Sequence, residues 1–176
     1  MTGPAAFRAL ILAVAAERVA ELAVSHRNLR WSRQQGGAEF GAGHYPLMVA
    51  LHSGLLAGAL AESQLGRRRV DPRLAVPMVT LVVASQALRW WCIRSLGPRW
   101  NTRVVVVPDL PLVARGPYRF LRHPNYVAVV VEGAALPLVG SAWITATAFT
   151  ALNLPLLAVR VRAEDAALAE SRGGPR

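Results

Sequence analysis

The segment from Arg115 to Tyr126 concentrates the side chains of this chain that could do chemistry. It contains three arginines, one histidine and two tyrosines, and an apolar run follows it. Pro117 and Pro124 each lack a backbone N–H and have a fixed φ, so no continuous helix can pass through. Pro124 suits the first turn of a helix, and His123 then lies beside a helix N-terminus that favours an anion. The pattern predicts either a site for an anionic group at a membrane surface or a basic loop resting on lipid headgroups.

A second polar pair lies near the C-terminus. Arg160 and Glu164 are four residues apart, so on a helix they share one face. The chain between this pair and segment 115–126 is apolar, and Pro137 and Gly140 mark the tip of a tight hairpin. We therefore expect the hairpin to bring Arg160 and Glu164 close to segment 115–126.

The composition is typical of a polytopic membrane protein. Hydrophobic residues make up 53% of the 176 residues and charged residues only 17%. The net charge is +10 and every basic residue apart from the histidines is an arginine. Because the arginines lie between apolar segments, anionic membrane lipids and topology explain them, and no nucleic-acid partner is predicted. His44 and His52 lack a third ligand at metal spacing, so no metal is predicted.

The apolar pattern predicts an all-α bundle of about five transmembrane helices, in a single membrane-embedded domain over residues 1–176. The expected spans are about 5–25, 45–61, 74–92, 124–138 and 142–159, and the last helix should continue through residues 160–169. The expected polar regions are 26–44, 62–73 with Arg67, Arg68 and Arg69 in solvent, 93–123 with an extended stretch at 104–107, and a frayed tail at 171–176.

The first apolar segment carries charges at helical spacing. Glu17, Glu21 and Ser25 are spaced by four and share one face. Ionisable groups in a membrane helix usually face the bundle interior. We expect an inserted helix whose polar stripe packs inside; the alternative is an amphipathic helix at the interface with its charges in water.

The distribution of arginines predicts the topology. Five spans place the termini on opposite sides, and most arginines outside the spans fall on the side of the C-terminus. The positive-inside rule then puts the N-terminus outside and the C-terminus inside. We expect a multi-pass protein of the cell membrane with segment 115–126 and Arg160 facing the cytoplasm.

The motif Gly116-Pro-Tyr-Arg-Phe-Leu-Arg-His-Pro-Asn-Tyr126 resembles the signature of the isoprenylcysteine carboxyl methyltransferase family. The family pattern continues in a C-terminal Arg-x-x-x-Glu-Glu, here Arg160-Val-Arg-Ala-Glu164-Asp165. The resemblance implies an integral membrane enzyme that uses S-adenosylmethionine. The N-terminal half is similar to the bacterial branch associated with type III polyketide synthases, which implies O-methylation of an alkylresorcinol-type phenolic lipid entering from the bilayer.

The resemblance also implies residue roles. Arg160, Glu164 and His123 would be catalytic, with Arg160 serving the acceptor. Asp165 replaces the usual second glutamate, and Leu110 and Pro111 do not match the family side chains. The residues expected to contact the cofactor are Leu112, Val113, Tyr118, His123, Pro124, Asn125, Tyr126 and Glu164.

The chemistry of the acceptor leaves alternatives open. A carboxylate acceptor, as in an isoprenylcysteine, needs no base, whereas a phenol with a pKa of about 10 benefits from one. His123, Glu132 and Glu164 are the candidate bases. Two further classes would keep the helical region without this activity: a sterol-type membrane reductase using NADPH, and a non-catalytic membrane scaffold.

Overall fold

The computed structural model describes residues 3–66 and 70–173. Arg67, Arg68 and Arg69 of the predicted polar region 62–73 and residues 174–176 of the predicted tail 171–176 lie outside the described residues. The all-α prediction is confirmed, because five helices dominate the described chain. The helices are α1 (Pro4–Gln34), α2 (Tyr45–Leu65), α3 (Pro72–Leu96), α4 (Pro124–Val139) and α5 (Trp143–Gly173). Strands β1 (Ala38–Phe40) and β2 (Val104–Val106) form a small antiparallel pair between the helix ends.

Proline begins four of these helices. α1 to α4 each carry a proline at one of their first two positions, where the missing N–H has no intrahelical acceptor to lose. α3 is additionally capped by Asp71, whose Oδ1 accepts a hydrogen bond from the N–H of Arg73 at 2.9 Å. α4 begins at Pro124, as the sequence predicted, and this places His123 at its N-cap.

Three helical stretches of the described chain are long and apolar enough to cross a membrane. They are Ala42–Leu65, Pro72–Arg99 and Trp143–Ser171, and the shorter apolar helix is Pro124–Val139. Large apolar side chains such as Leu47, Val76 and Ile144 are exposed on these helices. Exposed apolar side chains on helices of this length and composition are typical of a membrane protein.

α4 is the central helix and positions the site. It packs between α3 and α5, and the core around Leu136 also takes Phe7, Ile11 and Val14 from α1. A methyl group at Gly140 would lie 2.4 Å from the Phe7 ring, so the α4–α5 turn can approach α1 only because this residue is glycine. The C-terminal end of α4 is therefore held at a defined place against α1.

The expected polar loop at 26–44 is wrong over its first part, because α1 continues to Gln34. The reason is that the polar stripe of α1 continues: Ser25, Asn28 and Ser32 are all buried and share the face of Glu21. These side chains contact the loop after α3. Ser25 accepts from the N–H of Thr102 at 3.0 Å, and Asn28 donates to the carbonyl of Trp100 at 2.7 Å.

Deeper along α1, the charged part of the stripe packs inside the bundle, as expected. Arg18 contacts Glu21 at 2.9 Å, and Arg89 of α3 donates to Glu132 of α4 at 2.5 Å. Arg89 also lies 3.5 Å from Glu21, which links the three helices into one cluster. Buried charges are costly unless they are paired, so this cluster specifies how α1, α3 and α4 pack.

Candidate active site

The hydroxyl of Tyr126 links the two sequence motifs. It donates a short hydrogen bond to Glu164 and accepts one from Nε of Arg160 at 2.8 Å. Arg160 is only 5% exposed, and its two other nitrogens donate to the carbonyl of Thr102 at 2.6 Å and to the sulfur of Met48 at 3.0 Å. The first turn of α4 and the polar part of α5 are thus joined by an Arg–Tyr–Glu chain of charge-assisted bonds.

His123 lies on the outer side of this chain. Its ring stacks on Tyr126 with centroids 5.4 Å apart, and its Nε2 lies 3.0 Å from Oδ1 of Asp165. Its Nδ1 is 3.8 Å from Oε2 of Glu164. Asp165 is therefore long enough to reach His123, although it is one carbon shorter than the family's usual glutamate.

Tyr118 packs beside the same group from a short 3-10 helix, Gly116–Arg119, which directly precedes α4. Burial raises the pKa of Tyr118 well above its usual value, so its side chain is a neutral phenol at physiological pH. Its neighbour Cys92 is fully buried. Tyr118 can therefore donate or accept a hydrogen bond at the site but carries no charge there.

Two cavities meet at this chain of bonds. The first, called the polar cavity, has a volume of about 90 Å³. It is lined by Leu96, Arg99, Trp100, Asn101, Arg103, Val104, Val105, Val106, Tyr118, Arg122, His123, Asn125, Tyr126, Arg160, Glu164 and Leu168. It combines cationic groups with the carboxylate of Glu164, which suits a ligand that carries both signs of charge.

The second, called the bundle cavity, lies between the helices and has a volume of about 190 Å³. It is lined by Arg18, Glu21, Leu22, Tyr45, Met48, Val49, His52, Ser53, Leu56, Arg89, Trp100, Asn101, Thr102, Asn125, Tyr126, Val129, Asn153, Leu156, Leu157 and Arg160. Most of its wall is apolar. Trp100, Asn101, Asn125, Tyr126 and Arg160 line both cavities and form their junction.

Most of the predicted site residues come together here. Tyr118, His123, Asn125, Tyr126, Arg160 and Glu164 all line the polar cavity. Leu112 and Val113 do not: they line a neighbouring surface groove of about 480 Å³, which shares Leu96 and Arg99 with the polar cavity. Pro124 is fully buried beneath the site and begins α4.

Glu132 lies away from this group. Its carboxylate is buried and bonded to Arg89, and it lines neither cavity. The sequence could not rank it against the other candidate bases, because the arginine that pairs with it is 43 residues away in the chain. Among the residues that the structure describes, no group of three or more His, Cys, Asp or Glu side chains is placed to hold a metal ion.

Several residues that line these cavities were not singled out as site residues from the sequence. Trp100 and Asn101 belong to a polar tetrapeptide after α3, and Met48 and Asn153 lie inside apolar segments. A polar tetrapeptide directly after an apolar helix is a weak signal for such a role. Met48 and Asn153 carry no local signal, since only helix packing turns them toward the cavity.

Known proteins match most of this chain. The sequence pattern of the isoprenylcysteine carboxyl methyltransferase (ICMT) family matches residues 78–170, which is more than half of the chain. The uncharacterized protein YpbQ of Bacillus subtilis is 37% identical over 93% of this chain and 97% of its own. An uncharacterized protein of Haemophilus influenzae is 24% identical over 91% of both chains.

No solved structure matches the chain. The matched region 78–170 contains most of α3, the segment 115–126, α4 and α5 as far as Glu170, and so all of the Arg–Tyr–Glu chain. The protein therefore belongs to the isoprenylcysteine carboxyl methyltransferase family, a family of membrane methyltransferases that generally use S-adenosylmethionine.

Proposed function

We propose that this protein transfers a methyl group from S-adenosylmethionine to a hydroxyl group of a phenolic, alkylresorcinol-type lipid. The observation that carries the proposal is the junction of the two cavities at Tyr126 and Arg160. A polar cavity on one side suits a soluble, charged cofactor. A largely apolar cavity between membrane helices on the other side suits a lipophilic acceptor.

The side chains of the polar cavity fit the proposed cofactor. Arg122, His123 and the N-terminus of α4 suit its carboxylate, and Glu164 suits its amine. The apolar groove at Leu112 and Val113 adjoins this cavity and suits the adenosine. When bound, the cofactor supplies an electrophilic methyl group on a sulfonium. The protein contributes by holding the acceptor oxygen in line with that methyl group.

The engagement of Arg160 supports a neutral acceptor over a carboxylate. All three of its nitrogens already donate within the protein, and its charge is balanced by Glu164 through the Tyr126 hydroxyl. In this proposal Arg160 positions Tyr126 rather than neutralising an acidic acceptor. Isoprenylcysteine methylation remains the alternative that the experiment below separates.

A phenolic acceptor must lose a proton as its oxygen forms the new bond to carbon. Tyr126 already donates to Glu164, so its oxygen can receive the acceptor's proton while its own proton moves to the Glu164 carboxylate. Bound in the polar cavity, the cofactor would supply the methyl group and would be left as a neutral thioether, so the only proton to be placed is that of the acceptor. Glu164 is thus the proposed base, acting through Tyr126, since Glu132 is engaged by Arg89.

We further propose that the site faces the cytoplasm in a multi-pass cell-membrane protein, with the N-terminus outside. This is supported by the exposed arginines 115, 119 and 122 around the site and by the cytosolic origin of the cofactor. The natural Cys92 is buried, so Arg119→Cys offers a single accessible thiol. A membrane-impermeant maleimide should label it in inside-out vesicles and not in intact cells. The opposite pattern would refute this orientation.

The cofactor is tested by calorimetric binding of S-adenosylhomocysteine to detergent-purified protein. His123→Ala and Glu164→Ala should each weaken binding. His26→Ala and Glu170→Ala remove the same groups at exposed positions outside both cavities and should leave it unchanged. A folded wild type that binds NADPH and not S-adenosylhomocysteine would refute the methyltransferase function.

The acceptor is tested with the same preparation and S-adenosylmethionine. Methylation of 5-pentadecylresorcinol and not of a farnesylcysteine analogue is the expected result. Methylation of the farnesylcysteine analogue alone would refute the phenolic acceptor and establish carboxyl methylation.

A further inference from the structure

Three polar atoms at the cavity junction have no hydrogen-bond partner among the residues that the structure describes. They are Nε1 of Trp100, Oδ1 of Asn101 and Oδ1 of Asn125. All three residues line both cavities. Trp100 is only 3% exposed, so its indole N–H is a buried donor without an acceptor. Leaving such a group unpaired costs free energy, which a ligand that accepts its hydrogen bond would recover.

The loop that carries this donor is held in place by α1. Asn28 donates to the carbonyls of Trp100 at 2.7 Å and of Gly97 at 3.1 Å. The amide nitrogen of Asn101 lies 3.4 Å from Oγ of Ser32, which leaves its oxygen as the unpaired end. Buried polar residues of α1 thus hold this loop in place, while Nε1 of Trp100 and Oδ1 of Asn101 have no partner among the described residues. This arrangement is expected of a preorganised binding site.

We propose that Trp100 is an acceptor-binding residue whose indole N–H donates to the oxygen of the lipid that receives the methyl group. The inference rests on the proposed function, because it places that oxygen at the junction of the two cavities. A hydroxyl there can accept from Trp100 and donate to Tyr126 at the same time.

The neighbouring amide oxygens add selectivity for a hydroxyl. Oδ1 of Asn101 and of Asn125 are acceptors without donors among the described residues. A carboxylate offers only acceptors, so both of its oxygens would face the lone pairs of the junction, whereas a hydroxyl brings a single oxygen and one proton that Tyr126 or one of these amide oxygens accepts. The junction therefore selects a phenol over an otherwise identical benzoate.

The test uses three ligands that differ in one group: 3-pentadecylphenol, pentadecylbenzene and 3-pentadecylbenzoate. Wild-type protein in one detergent should bind the phenol about tenfold or more tightly than the other two, since one buried hydrogen bond contributes about 1–1.5 kcal/mol. Trp100→Phe keeps an aromatic ring and removes the donor. It should lose most of the preference for the phenol over the hydrocarbon, with affinity for the hydrocarbon unchanged.

Trp90→Phe is the matched control. The indole of Trp90 donates to Glu17 and lines neither cavity, so this variant should keep the wild-type preference. A folded Trp100→Phe that still prefers the phenol as wild type does would overturn the inference. If this variant does not fold, as judged by its thermal unfolding, the wild-type comparison decides: equal affinity for phenol and benzoate overturns the inference.

The two levels of proposal fail differently. Absence of S-adenosylhomocysteine binding by wild type would overturn the proposed function. Methylation of the phenol by Trp100→Phe with wild-type KM would overturn only the role of Trp100.

Discussion

Tyr126→Phe removes one oxygen atom and should disconnect the two motifs of the site. That oxygen accepts from Nε of Arg160 at 2.8 Å and donates to Glu164. Without it, the nearest described basic side chain to Glu164 is His123, whose Nδ1 is 3.8 Å away and beyond hydrogen-bond distance. Glu164 would then be free to turn toward solvent, and Nε of the buried Arg160 would lose its acceptor.

The magnitude follows from the charge on both partners. A hydrogen bond to a charged group contributes about 1.5–3 kcal/mol, and the bond to Glu164 orients the carboxylate proposed for the cofactor amine. Loss of that orientation should weaken binding of S-adenosylhomocysteine by about 10- to 100-fold. Methyl transfer to a phenol should fall further, because the proposed path of the proton to Glu164 is also interrupted.

The assay is calorimetry on detergent-purified protein, with Tyr45→Phe as the matched control. Tyr45 loses the same atom, but its hydroxyl contacts Thr102 at 3.3 Å and lines only the bundle cavity. This control should bind S-adenosylhomocysteine like wild type. If Tyr126→Phe is folded and also binds like wild type, the Arg–Tyr–Glu chain does not organise the cofactor site and the reasoning fails.

Two further predictions concern stability, measured as the thermal unfolding midpoint in detergent. Glu132→Ala removes the partner of the buried Arg89 at 2.5 Å and should lower the free energy of unfolding by about 3–5 kcal/mol. Glu39→Ala breaks a half-exposed ion pair of 2.7 Å and should lower it by less than about 1 kcal/mol. Equal losses of stability would refute a structural role for the buried cluster. Gly133→Ala would place a methyl group 2.0 Å from the buried ring of Phe149 and should cost about 1–3 kcal/mol. In the control Gly54→Ala, the added methyl group has no atom within 4 Å, so the change should be neutral or slightly stabilising. An unfolding midpoint of Gly133→Ala at or above that of Gly54→Ala would show that the Phe149 ring moves aside without cost.

Much of the helical framework could be predicted because its causes are local. Pro124 fixes its own φ and lacks an N–H, so it begins α4 wherever the rest of the chain lies. The spacing of Glu21 and Ser25 puts them on one helical face before any packing occurs. The end of α1, in contrast, was predicted wrongly because its cause is not local. Asn28 and Ser32 are typical of a loop by residue type, and only their contacts with residues 97–102 make them part of a buried stripe.

For the site, the sequence alone determined which residue types are available. The order of the two motifs, with a hairpin between them, also determined that Arg160 and Glu164 return to the N-terminus of α4. Tertiary structure decided which atoms pair. Tyr126 rather than His123 links Arg160 to Glu164, and Trp100 enters the junction from a loop that α1 holds. Such pairings join residues tens of positions apart, so they depend on how helices pack and leave no periodicity or spacing in the chain that could reveal them.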